Sequence, residues 1–296
     1  MSRPSRLLFD GDVLRYEIGA VCQSMEPMFD TMVVKPHSET RVREAVDAMV
    51  ERVVHATDVE SYEIFLSGST NFRYDVAVTN PYKGQRLKSA KPYHWSTVGQ
   101  ILREDYGAHT VHGAEADDVL SIFGRQDPDN TVCASRDKDI RIVPCWHYAW
   151  KCGEKQPEIP VHRVTELGQI GFAQYPSGGY KLVGNGLKFF YAQILAGDDI
   201  DNYKGCPRIG PKAAADLLCN CNSEHELWEA TYWAYHRKLG PEEGLRLLIE
   251  NAQLAWLLDD AEVTYDANDI YISPKRLWQP PSPIPTGFSS GPLPGA

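Results

Sequence analysis

No run in this 296-residue chain is long and apolar enough to span a membrane, and its first residues, MSRPSRLLFDGD, lack the apolar core of a secretory signal. A cytoplasmic protein is the resulting expectation. No CxxC pair occurs among the seven cysteines, and their odd number argues against a disulfide framework. The nearest approach to a soft-metal cluster is CWHYAWKC, with Cys145, His147 and Cys152, whose apolar surroundings favour core packing over zinc. There is no internal repeat, and the length is ample for a core in one large or two smaller domains. Positive charge is in deficit. A net charge of -10 ordinarily argues against nucleic acid, because phosphate contacts need Lys and Arg.

The deficit is concentrated. Ten acids fall into four tight groups: Asp10 and Asp12; Glu115, Asp117 and Asp118; Asp137 and Asp139; Asp198, Asp199 and Asp201. Without those ten, the acids only equal the 30 bases, so the acidity belongs to one site rather than to the whole surface. In GAEADDVLSIFG, the first turn of a helix welcomes one or two acids by its dipole, but three there and seven elsewhere ask for more.

The first half alternates strand and helix. RLLFD, YEIFLSG, HTVHG, NTVCASRDKD and IRIVPCWHYAW read as strands, the fourth stopping at Asp137, and AVDAMVERVVHAT has helical spacing. That alternation predicts an α/β fold with a mostly parallel central sheet flanked by helices. Ligands of such sheets bind outside the carboxyl ends of the strands, where three of the acidic groups converge. Seven or more carboxylates cannot share a cavity as bare anions, and divalent cations relieve the repulsion. Oxygen donors without prominent histidine favour Mg2+ or Mn2+ over zinc.

Two further features bear on ligands. Between Asn71 and Gln100, Arg73, Lys83, Arg86, Lys88 and Lys91 face a single acid, Asp75, interleaved with six aromatic or histidine side chains. This is either a solvated basic loop or an element in which cations meet phosphates and rings stack on bases. In CPRIGPKAAADLL, a glycine turn opens a helix with Lys212 in its first turn, either an anion-binding N-terminus or an ordinary corner between helices. Beyond residue 185 the pattern turns helical, and QPPSPIPTGFSSGPLPGA reads as a disordered tail over 279–296.

Taken in order, LLFDGD, NPYKGQR, GAEADDVLSIFG, SRDKD, GDDIDN and CPRIGPKAAADLL resemble the motifs of the 5' nuclease, or flap endonuclease, family, and most closely its short-tailed bacteriophage 5'-to-3' exonuclease branch. The resemblance covers about residues 6 to 278. It implies a PIN-like nuclease core over 1–185 with an arch at about 71–100, and a helical helix-three-turn-helix DNA-binding module over 186–278. It also implies a monomer that hydrolyses DNA at duplex ends, nicks and 5' flaps, with RNA–DNA hybrids as a further substrate, in phage replication and recombination within the host cytoplasm. Metal ligands carry over to Asp10, Glu115, Asp117, Asp118, Asp137, Asp139, Asp198 and Asp201, holding two Mg2+ or Mn2+ ions. Lys83 and Arg86 carry over as catalytic contacts to the scissile phosphate. Gly205, Ile209, Gly210 and Lys212 carry over as the DNA-gripping turn, with K+ as its cofactor, and Arg73, Lys88 and Lys91 join them as DNA contacts.

One departure stands out: Gly68 and Ser69 occupy the place of an aspartate the family carries after the second strand, which weakens one metal position. Asp12 and Asp199 have no firm counterpart in the family. LLFDGDVL, FLSGST and GDDIDN also resemble haloacid-dehalogenase-type phosphatases, with Asp10 as nucleophile and Asp12 as acid/base, but that reading leaves EADD, DKD and the basic loop unexplained. A nucleic-acid-binding relative without cleavage is the remaining alternative.

Overall fold

The computed structural model describes residues 3–29, 31–85 and 90–285. From the N-terminus, β1 (Arg6–Asp10) leads into α1 (Gly11–Val21), a projecting hairpin of β2 (Gln23–Met28) and β3 (Thr31–Pro36), α2 (Glu39–Thr57) and β4 (Ser61–Asn71). The short α3 (Arg73–Val76) and then α4 (Trp95–Tyr106) precede β5 (His109–Gly113), α5 (Ala116–Gln126) and β6 (Thr131–Ala134). A 3-10 turn at Asp139–Ile142 is followed by β7 (Trp146–Ala149), β8 (Ile159–Arg163), and a hairpin of β9 (Gln169–Gln174) and β10 (Tyr180–Asn185). Next come α6 (Gly186–Ala196), the two-residue strands β11 (Gly197–Asp198) and β12 (Tyr203–Lys204), α7 (Pro211–Leu218), α8 (Glu224–Leu239), α9 (Pro241–Ala255), and a last hairpin of β13 (Ala261–Asp266) and β14 (Asp269–Pro274).

Eight strands form the main sheet in the order β13-β14-β5-β4-β1-β6-β7-β8, parallel from β14 to β7 and antiparallel at both edges. Strand β1 shows why both faces must be covered. Its Leu7, Leu8 and Phe9 are all fully buried, and the period of two sends them to different cores. Leu7 and Phe9 join Leu14 of α1, Val46 of α2 and Leu102 of α4 on one face. Leu8 joins Leu120 of α5, Phe190 of α6 and Trp228 of α8 on the other. The chain moves from β1 to β4 and β5 on one side, then returns to β6 on the opposite side of β1, so a crevice opens at the carboxyl end of β1.

Three expectations change in detail. β6 ends at Ala134, leaving Asp137 on the following loop, and the stretch IRIVPCWHYAW divides at Pro144 into a 3-10 turn and a strand, since proline cannot donate to a ladder. The segment 186–278 is helical only through α9. Its β13–β14 hairpin joins the main sheet, because β14 pairs with β5 in parallel (Ile270 beside Val111). Residues 275–285 contain no helix or strand, and 286–296 of the proposed tail lie outside the described residues.

Candidate metal centre

The crevice at the carboxyl ends of the central strands is a cavity of about 560 Å3 whose wall includes Asp10, Asp12, Ser67, Lys83, Glu115, Asp117, Asp137 and Asp199. Four strands bring its carboxylates and hydroxyls together. Asp10 closes β1 and caps α1, its Oδ1 accepting from the backbone N–H of Asp12 (3.1 Å) and Val13 (3.2 Å). Its Oδ2 accepts from Ser135 Oγ (2.6 Å), and the same Ser135 oxygen accepts from the N–H of Asp137 (2.9 Å), which couples the first and third acidic groups. Glu115 precedes α5, where Tyr82 Oη donates to it at 2.7 Å and Lys83 Nζ forms a short ion pair.

The fourth group lies beside the third. Carboxylate oxygens of Asp139, Asp198 and Asp201 lie within 4.8 Å of one another. Asp137 links the two sets, since its Oδ1 accepts from the Asp139 N–H at 3.0 Å. Gln193 of α6 donates to Asp139 (2.6 Å), and Lys138 pairs with Asp198 while standing 3.9 Å from Asp139. Lys83 spans both sets, 4.0 Å from Asp201 and bonded to Glu115.

Charge crowding appears in the titration behaviour. Burial, with Asp12 adding to it, pushes Asp10 up to about 7. Burial and the Asp137 charge push Asp139 up to about 7 as well. Asp117 is raised well above the usual carboxylate range by burial and by Glu115 and Asp118. Two acids go the other way. Burial works against ionisation of Glu115, yet Lys83 and Arg73 outweigh it and hold the group at about 2. Asp198 is likewise lowered, by Lys138 and by the N–H groups of Ile200 and Asp201 against the effect of burial.

Does this cavity suit a divalent cation? Asp117 Oδ1 is sealed from solvent with no hydrogen-bond partner, an expensive state for a carboxylate unless a cation takes the lone pairs. Among the described residues, the charged groups on the wall other than Lys83 are carboxylates, with no histidine among them, which fits a hard ion such as Mg2+ or Mn2+. Asp10, Asp12, Glu115, Asp117 and Asp137 line this cavity, and among the described residues Asp139, Asp198 and Asp201 are the carboxylates placed closely enough to share one ion.

Two residues leave the expected site. Asp118 is fully buried and turned the other way. Its Oδ1 accepts from Arg73 Nη2 (2.8 Å) and the N–H of Leu258 (3.0 Å), and its Oδ2 from Arg73 Nη1 (2.6 Å) and the N–H of Glu115 (3.0 Å). With two donors on each oxygen, no lone pair is left for a metal. Arg73, expected at a DNA surface, is only 1% exposed and also donates to the carbonyls of Leu254 (3.0 Å) and Trp256 (2.8 Å). Both belong to an anchor between α5, α3, the last turn of α9 and the segment after it.

Of the two residues that stand where the family carries an aspartate, Gly68 is not on the cavity wall. A Cβ there would sit 2.6 Å from the Val111 carbonyl, so the residue faces β5, and Ser67 is the β4 residue on the cavity wall. Arg86 and Lys88 lie outside the described residues. Lys91 is exposed, its Nζ 3.6 Å from the Trp95 ring centroid. In the turn before α7, Gly205 allows close packing, because a Cβ would meet the Leu195 carbonyl at 2.3 Å. Ile209 packs on the core, Gly210 is an exposed N-cap with open space around it, and Lys212 is half exposed, 3.8 Å from Asp216. Asp199 keeps a 94% exposed side chain. Sequence reasoning missed Ser135, Lys138 and Gln193, although SRDKD already contained the first two.

The sequence matches DNA polymerase I of Rhizobium leguminosarum at 31% identity over 166 residues, 52% of this chain. The match spans only 14% of that protein's length. No family model matches the chain. Among solved structures, a bacteriophage T5 protein co-crystallised with metal ions superposes with a TM-score of 0.54 at 13% identity, over 85% of this chain and 89% of the other. The T5 flap endonuclease in a pseudo-enzyme-product complex with DNA and metal ions gives 0.53 at 12%, over 85% and 88%. At such identities the likeness establishes the fold. The chain has the fold of a 5' nuclease core, and its resemblance to that family, read from the order of its motifs, stands.

Proposed function

We propose that this chain is a divalent-metal-dependent 5' nuclease, a 5'-to-3' exonuclease and flap endonuclease acting on duplex ends, nicks and 5' flaps of DNA. The observation that carries the reading is the unpartnered Asp117 oxygen in a strand-end cavity shared with Asp10 and Asp137. Asp10, Glu115, Asp117 and Asp137 would hold one Mg2+ or Mn2+, and Asp139, Asp198 and Asp201 another. Ions bound there supply water activation at neutral pH and charge stabilisation at the departing oxygen.

The chain's own residues do the rest. Lys83 stands between Glu115 and Asp201, so its ammonium is available to a phosphate once cations occupy those carboxylates. Tyr82 orients Glu115 through its hydroxyl, and Ser135 fixes Asp10 relative to Asp137. The N-terminus of α7, with Gly210 and Lys212, offers N–H groups and charge to duplex phosphates, and K+ is the cation we assign to that turn. RNA–DNA hybrids as substrates, action as a monomer and a role in phage replication and recombination belong to the same proposal.

Cleavage of 5'-labelled flapped, nicked and blunt duplexes, with Mg2+ or Mn2+ and with EDTA, tests it. Short 5' products that require metal support the nuclease. Binding without products supports a cleavage-deficient relative, and turnover of a small phosphate ester alone supports the phosphatase.

A further inference from the structure

Strand β4 brings no carboxylate to the cavity, and the place opposite it is filled from elsewhere. Ser67 donates its backbone N–H to Asp12 Oδ2 at 3.0 Å and accepts from the Ala116 N–H at 2.9 Å through Oγ. Asp12 stands in the first turn of α1, where an acid needs no more than water and its own helix N–H groups. Here it reaches across to β4 instead. Its other oxygen, Oδ1, lies 3.4 Å from Arg15 Nη1.

Arg15 is itself held in a built slot. Arg15 is 5% exposed, its Cζ lies 3.2 Å from the Trp95 ring centroid, and its Nε donates to the Trp95 carbonyl at 3.3 Å. Gly99, one turn further along α4, leaves the room, since a Cβ there would meet Arg15 Nε at 2.9 Å. A buried cation, an aromatic face and a glycine gap thus serve the orientation of one carboxylate on the cavity wall.

We propose that Asp12 is a ligand of the divalent ion held by Asp10, Asp117 and Asp137, supplying from α1 the carboxylate that β4 lacks, and that Arg15 is the positioning residue that aims it. The proposal rests on reading the cavity as a metal centre. Second-sphere partners of metal ligands typically contribute about 10–100-fold in metal affinity, which sets the scale expected for Arg15.

The test is metal binding by the full chain without DNA, using Mn2+ by electron paramagnetic resonance and Mg2+ by calorimetry. Asp12→Asn keeps an acceptor for the Ser67 N–H but loses the charge. Its Mn2+ affinity is expected to fall by at least about tenfold, Asp12→Glu to recover part of it, and Glu44→Gln, an exposed carboxylate of α2, to match the parent. Arg15→Lys is expected to weaken binding less than Asp12→Asn. Circular dichroism of the metal-free variants checks folding, and if Asp12→Asn does not fold, Arg15→Lys and Asp12→Glu decide by the same readout. Parental Mn2+ affinity in folded variants overturns the proposal and leaves the metal centre intact, whereas a parent chain that binds no metal overturns the metal centre itself.

Discussion

On the cavity side of the first turn of α5, Asp117 keeps an oxygen without a hydrogen-bond partner, and its carboxyl is driven toward the neutral form by burial and neighbouring charge. One residue later, facing the segment after α9, Asp118 accepts from four N–H donors, two of them on one arginine. Successive helical residues point about 100° apart, so identical side chains enter opposite environments. A carboxylate is open to chemistry only where the fold leaves its lone pairs unused, and the same residue type fully satisfied is a structural bolt.

The contrast is broken most sharply at cleavage. Asp117→Ala is expected to abolish metal-dependent cleavage while leaving the metal-free melting temperature unchanged or raised, because repulsion is relieved. A variant that cleaves at the parental rate ends the ligand role. Asp118→Ala should do the reverse, removing the two-bond partner of buried Arg73, leaving it only Glu115 at 3.7 Å as a charged partner, and costing about 3–5 kcal/mol of stability. Urea unfolding in EDTA measures it, and a loss below about 1 kcal/mol would contradict the anchor.

Lys83→Ala sharpens the comparison from the cation side. Single-turnover cleavage at saturating DNA is expected to fall by on the order of a hundredfold, the scale of a lost electrostatic stabiliser, with much less change in DNA affinity. Loss of affinity alone would make Lys83 a binding residue.

The comparison is sharpened last by pH dependence. Asp10 and Asp139, pushed up to about 7 chiefly by burial, hold protons in the metal-free folded chain that their unfolded counterparts, with pKa about 4, have released. Between those values the folded state binds more protons, so metal-free stability falls as pH rises from about 4 through about 7. Glu115, held at about 2, contributes the opposite slope only below the usual glutamate range, as pH falls through about 4 to 2. Melting temperatures in EDTA should therefore be lower at pH 8 than at pH 5.5, and added Mg2+ should raise them most at pH 8. A flat profile in EDTA would mean that these carboxyls ionise normally.

Most of this arrangement was legible because its signals are local. The buried run RLLFD, the acids that follow it, and the alternation of strand and helix needed only near neighbours in sequence. What escaped depended on distant partners. Arg73 looks like any basic residue among aromatics until Asp118, 45 positions away, draws it inside. Val263, Tyr265, Ile270 and Ile272 carry a readable alternation, but the pairing of Ile270 with Val111 is a long-range event that no window in the sequence contains. Gly68 seemed to stand for a lost ligand because motif alignment cannot tell which residue of a bulged strand faces the cavity, and β4 is irregular between Ser67 and Asn71.

The anchor around Asp118 also has a consequence in time. Its partners Leu254, Trp256 and Leu258 lie late in the chain, and β14 completes the sheet beside β5 only at residues 269–274. A nascent chain on the ribosome carries every acid of the cavity once Asp201 has emerged, yet Arg73 and Asp118 still lack the carbonyls and N–H that fix them. The acids are thus synthesised before the C-terminal segments whose carbonyls and N–H hold Arg73 and Asp118 in place.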